Sequence, residues 1–139
     1  MPANTTPIFV LQGNTKPARI AAANTASDGS GTLVTLVTAG AAGARVDGVR
    51  FRNSQVSAGI TAAQVHRIFL SDTFGASYRL IGEVATATAT RSITAIGATS
   101  IFTFDQPIIM LSGQIMAVAQ SLYTTPADQF DACAFAGDY

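Results

Sequence analysis

The chain has 139 residues, of which 48% are hydrophobic and only 12% charged, and its eight cationic and eight acidic side chains leave a net charge of zero. This balance excludes bulk attraction to nucleic acid or an anionic membrane; no apolar run of about eighteen residues is present, which excludes a spanning helix, and the single cysteine, Cys133, excludes an intrachain disulfide. Soluble domains are typically about one-quarter charged, so this surface must be mostly Thr, Ser, Gln, Asn, Gly and Ala, a weakly hydrated exterior suited to a protein packed against other proteins.

One domain over residues 1–139 is expected, long enough to build a core without metal or disulfide. Met1 to Leu11 has no basic segment and too short an apolar stretch for a signal peptide. The polar start, with Pro2 and Pro7, reads as an N-terminal arm over residues 1–7 that orders on a partner. Strands are then expected at Ile8–Gln12, Arg19–Ala22, Thr32–Thr38, Arg45–Arg52, Val65–Ser71, Tyr78–Ala85, Ile101–Phe104, Ile108–Met110, Gln114–Gln120 and Asp131–Ala136, between Gly, Asn, Asp and Pro punctuation. Residues 61–70 have room for a short turn of helix. Turns fall at Ser27-Asp28-Gly29-Ser30-Gly31 and Asp72-Thr73-Phe74-Gly75, and Ser112-Gly113 between two apolar runs reads as a tight hairpin. Short strands at this spacing predict an all-β protein, a jelly-roll-like antiparallel β-sandwich.

The two-residue period assigns faces. Val49 and Phe51 lie opposite Arg50 and Arg52; Val46 is out of phase with Val49, so Gly48 marks a bulge. His66, Ile68 and Leu70 oppose Arg67, Phe69 and Ser71; Phe102 and Phe104 oppose Ile101 and Thr103; Leu33 and Val37 oppose Val34 and Leu36. Several strands are thus apolar on both faces, whereas a sandwich buries one face of each sheet. The second face needs a partner subunit or a covering loop, and the low charge content favours a partner. The Ala/Thr alternation from Ala85 to Ser92 reads as a flat strand or as an extended loop lying on a neighbour.

Little in the chain points to chemistry. His66, the only histidine, shares a face with Ile68 and Leu70 and reads as a half-buried structural residue; no Gly-x-Ser-x-Gly elbow accompanies it. Cys133 shares a face with Phe135 and reads as a small buried hydrophobe. One His and one Cys far apart do not make a zinc site, and Asn24 to Gly29 lacks the alternating acids of a calcium loop. Glu83 is the only glutamate, with no evident carboxylate partner across a cleft. No phosphate-binding loop is present. No enzyme activity and no cofactor are expected. Arg45, Arg50 and Arg52 form the densest cationic group, suited to gripping a partner's carboxylates or carbonyls or to an ordinary solvated face.

Three stretches carry a resemblance. Asn4-Thr5-Thr6-Pro7-Ile8-Phe9, the turn Ala23-Asn24-Thr25-Ala26-Ser27-Asp28-Gly29-Ser30-Gly31-Thr32, and Val37-Thr38-Ala39-Gly40-Ala41-Ala42-Gly43-Ala44-Arg45-Val46 resemble small virion proteins of tailed phages and prophages. In those proteins a TPIF opening, an ANT-x-x-DG-x-GT turn and a TAG-x-x-G-x-R-V/I turn recur. The match covers the first third of the chain in motif and the remainder in texture. With the mass, it implies a capsid cement or decoration protein: a jelly roll on the outside of the head that bridges subunits of the major capsid protein, made in the bacterial cytoplasm. Cement proteins of the Bordetella phage kind imply a homodimer; trimeric decorators exist in other phages. The resemblance implies no catalytic residues, and neither nucleic acid nor membrane as partner.

On this reading the contact elements are the arm (Pro2, Asn4, Thr5, Thr6, Pro7, Ile8 and Phe9), the Ala/Thr segment (Thr86, Thr88, Thr90 and Arg91), and Arg50 with Arg52. An arm can add a strand to a neighbour's exposed sheet edge. The alternative is a tail or head-fibre module that binds a host surface. It is disfavoured by the absence of Trp and the scatter of Tyr78, Tyr123 and Tyr139, because receptor-binding loops concentrate aromatic residues.

Overall fold

The computed structural model describes residues 9–55, 58–73 and 75–139, and among these the regular structure is β-strand apart from one 3₁₀ turn at Pro126–Asp128. In chain order the strands are β1 (Gln12–Gly13), β2 (Pro17–Ile20), β3 (Val34–Thr38), β4 (Ala44–Asn53), β5 (Gly59–Thr61), β6 (Gln64–Thr73), β7 (Ser77–Thr86), β8 (Ala89–Arg91), β9 (Thr99–Met110), β10 (Ile115–Gln120) and β11 (Phe130–Asp138). The expected arm at 1–7 lies outside the described residues, as does Ile8.

One sheet runs β1-β11-β4-β9, with β2 continuing β1's edge along β11, and the other runs β3-β10-β6-β7, all antiparallel. β5 and β8 form a small separate ribbon. If β1 and β2 are taken as one interrupted edge strand, the eight main strands alternate between the sheets in the two-Greek-key order of a jelly roll. Only the β6–β7 hairpin stays within a sheet. The expected fold class is therefore the observed one.

Several local expectations are corrected. Residues 61–70 hold no helix; they carry the end of β5 and most of β6. The two runs read as Ile101–Phe104 and Ile108–Met110 are one strand, β9, which bulges where Val46 pairs with Ile108 and Gly48 with Thr103. Ser112-Gly113 does not close a hairpin. β9 pairs with β4 and β10 with β3 and β6, so the turn carries the chain from one sheet to the other. Simple alternation placed Leu36 and Val37 on opposite faces, yet both are core residues, because β3 slips one residue against β10 there. The irregularity expected at Gly48 is present, and it lets Val46 and Val49 both point inward.

The core lies between the sheets. Phe51, Phe130, Ile20, Ile68, Met110, Met116, Val46, Val49 and Val118 are within 1% of full burial, each contributing about 1.5–3 kcal/mol by leaving water. His66 is in this layer and is fully rather than half buried. Its ring stacks on Phe51 (centroids 4.5 Å apart, planes 8° apart) and tilts against Phe130 at 4.4 Å. Neither ring nitrogen has a hydrogen-bond partner among the described residues. Burial pushes its pKa down to about 4, so the imidazole is neutral at physiological pH.

The outer face of the β3-β10-β6-β7 sheet is closed by the chain itself. Residues 21–33, which join β2 to β3, begin beside β10, where Asn24 N donates to Gln120 O at 2.8 Å. They reach the opposite edge at β7, where Gly29 sits so close to the Tyr78 carbonyl that any side chain would collide with it. Between these points Arg67 of β6 donates to Asn24 O at 3.3 Å. The inner face is filled by core, so the segment crosses outside. Phe69, Ala117 and Ala119 lie on that side, outside the interior cluster, and are at most 1% exposed. For this sheet the second apolar face is covered by a loop, which corrects the expectation of a partner. The ANT-x-x-DG-x-GT residues make the strap. The Asn24 amide donates to the carbonyls of Ser30 and Thr32 and its oxygen accepts from Ala26 N, while Asp28 accepts from Ser30.

Candidate partner-binding face

Among the described residues, none crosses the outer face of the other sheet as a strap. On β4, Arg50 and Arg52 point out while Val49, Phe51 and Asn53 point in. β11 lies between β2 and β4, so its outward residues are flanked on both sides. Cys133 pairs with Pro17 and with Arg50; Asp131 pairs with Arg19 and with Arg52. Directly opposed residues stand about 5 Å apart, so this register sets Arg19, Asp131 and Arg52 in one row and Cys133, Arg50 and Ile101 in the next.

Arg91 enters from the β5–β8 ribbon. Its guanidinium donates to Asn53 O at 3.3 Å, and Gly97 packs beside its stem. The result is a concavity of about 540 Å³ lined by Arg19, Arg50, Arg52, Arg91, Asp131 and Cys133 among others. A second one, of about 250 Å³, shares Arg52, Asn53 and Arg91 and is walled by residues 92–97, whose turn is closed by reciprocal bonds between Ser92 and Ala95. Together they form one groove.

Four of the chain's eight cations meet here. Among the described residues only one has an ion-pair partner: Arg19 Nε donates to Asp131 Oδ1 at 3.0 Å, and that bond, followed by the charge itself, raises the Arg19 pKa above its ordinary value. Arg50 and Arg52 have no ion-pair partner among the described residues, whereas Arg45, Arg67 and Arg79 are matched by Asp47, Glu83 and Asp72. Beyond the groove the same face is apolar. The Phe135 ring lies over Gly48, where a Cβ would press on it, and Phe135 and Ile101 are 41% and 54% exposed.

The expected contact residues divide. Arg50 and Arg52, paired on one strand face by the sequence, and Arg91, which the sequence places apart in the Ala/Thr segment, converge on this groove. Thr90 is exposed on β8, next to Arg91, and Thr88, just before that strand, is exposed as well. Thr86 is buried, its hydroxyl 2.7 Å from that of Ser100, so it serves the joint between β7 and β9 rather than a partner. Phe9 is exposed but lies with the residues leading to β1, where Leu11 N bonds Asp138 O, at the far end of β11 from the groove. Pro2, Asn4, Thr5, Thr6, Pro7 and Ile8 lie outside the described residues. Cys133 is corrected: it shares Phe135's face as expected, but that face is the outer one, so the thiol lines the groove instead of the core. Arg19 and Asp131 were missed, and no local signal joins two residues 112 positions apart.

Chemically the groove offers guanidinium donors. Among the described residues no cluster of His, Cys, Asp and Glu is arranged to hold a metal, and His66 is on the interior face of the opposite sheet. No protein-family model matches the chain, and no curated protein matches it.

Proposed function

We propose that this protein is a phage head cement protein. It binds the outer surface of the major capsid shell, bridges neighbouring subunits, and so raises the work needed to rupture the head. The observation that carries the reading is the asymmetry of the jelly roll: one sheet's outer face is crossed and covered by residues 21–33, while the other presents Arg50 and Arg52, without ion-pair partners among the described residues, beside exposed Ile101 and Phe135. A stable interface buries more than about 1,000 Å² in total, and a sheet face of this kind is a ready platform for one. The phage motifs support the reading through the strap they build. Many identical contacts around a closed shell then act multivalently, so each needs only modest affinity. The self-association implied by the resemblance, a dimer, would use the apolar part of the open face.

The test is to mix the purified protein with expanded, undecorated phage heads. Stoichiometric uptake at a symmetric lattice position is expected. Density confined to the tail in a virion reconstruction would overturn the cement reading in favour of a tail or fibre module.

A further inference from the structure

We infer that the groove at Arg50, Arg52 and Arg91 grips an extended acidic segment of a partner polypeptide, through carboxylates seated on the guanidinium forks. This deepens the proposal above by naming what the open face holds, and rests on that reading only for the partner's identity.

The charge accounting points to carboxylates supplied from outside. The groove holds four arginines against one acid, and that acid is already bonded to Arg19. Arg50 and Arg52 project from the same face of β4 two residues apart, about 7 Å along the strand. That spacing matches carboxylates on alternate residues of an extended chain laid alongside. Guanidinium groups favour such partners because their planar forks bind carboxylate oxygens in pairs. Arg91 is preset by its bond to Asn53 O, so less side-chain freedom is lost on binding.

A second copy of this chain does not supply those carboxylates. Four of the acids are in ion pairs with Arg19, Arg45, Arg67 and Arg79, and Asp28, Asp128 and Asp138 are held by hydrogen bonds within the chain. Asp105 is left as the single uncommitted acid among the described residues. Two grooves facing each other would repel. Nucleic acid fits poorly: among the described residues no aromatic side chain lines either part of the groove to stack on bases, and a chain of zero net charge has no long-range pull on a phosphate backbone. The rim decides between a polypeptide and an acidic sugar. Ile93 and Ile96 stand almost wholly exposed on the 92–97 wall, and Ile101 flanks Arg50. Aliphatic side chains beside cations suit a segment that alternates acidic and apolar residues, not a hydroxylated polymer.

The test uses the full chain and a fluorescent peptide alternating Glu and Leu, read by anisotropy, with an oligouronate and oligothymidylate as competitors. The parent protein is expected to bind the peptide, more weakly as salt rises. The double variant Arg50→Ala/Arg52→Ala is expected to lose about tenfold or more in affinity with an unchanged unfolding midpoint. Arg50→Lys/Arg52→Lys is expected to recover only part of that loss. No peptide binding, equal binding by the Ala double variant, or stronger binding of either competitor overturns the inference. A parallel uptake assay on expanded heads separates the two readings. Full uptake of the Ala double variant sinks the groove and leaves the cement reading standing; peptide binding without uptake of the parent does the reverse.

Discussion

The two outer faces of this jelly roll solve the same problem in opposite ways. Both sheets carry apolar side chains outward: Phe69 with Ala117 and Ala119 on one, Ile101 and Phe135 on the other. On the first face the chain bends back and covers them with residues 21–33, held by the Asn24 amide and by Arg67. On the second nothing in the described chain crosses, and the surface is edged with arginines lacking acids. An exposed apolar residue is unremarkable by itself. What distinguishes this molecule is that one outer face stays open among the described residues while the same chain has closed the other, and the proposed partner contact rests on that difference.

The comparison can be broken at several points. The largest expected effect is Phe69→Ala, which empties space beneath the strap and should cost about 3–5 kcal/mol in denaturant unfolding. Phe135→Ala on the open face should cost no more than about 1 kcal/mol. Similar losses for the two would erase the asymmetry. Next comes acid, which loads the core without touching either face. His66 takes its proton near pH 6.5 when unfolded but only near pH 4 when folded, so its neutral form contributes fully above pH 6.5 and that stability is lost as pH falls toward 4. The loss approaches about 3 kcal/mol. His66→Leu, similar in volume, should flatten the pH dependence of the unfolding midpoint across that window. Then Asn24→Ala, which removes the strap's three bonds to the Asn24 amide, should cost about 1–3 kcal/mol and accelerate amide exchange over residues 21–33 more than in β4. The smallest stability effect belongs to Arg50→Ala/Arg52→Ala, within about 0.5 kcal/mol in the free protein, because neither arginine has an ion-pair partner among the described residues. A clear destabilisation there would mean that the arginines serve the fold.

Much of this architecture was legible in the chain, and the failures share a cause. The alternation of Val49 and Phe51 with Arg50 and Arg52, and the phase slip at Gly48, are local patterns that translate directly into faces. Ser112-Gly113 has the composition of a hairpin, but turn chemistry does not encode which sheet the next strand joins. Cys133 and Phe135 were correctly placed together, yet period-two alternation leaves open which side is the interior when both are apolar. The strap residues read as turns; that they would shield Phe69 depends on packing across more than forty positions. The groove is legible only in part, since Arg50 and Arg52 advertise themselves while Arg19, Asp131 and Arg91 arrive through long-range register.

That register also constrains synthesis. β11 runs through its sheet between β1 with β2 and β4, and Asn14 bonds Asp138 across a separation of 124 positions. The earliest strands therefore emerge from the ribosome with nothing to pair with until β11 follows. At roughly 5–20 residues per second, the nascent chain spends several seconds with unpaired strand edges, a window in which chaperone capture or premature aggregation competes with folding.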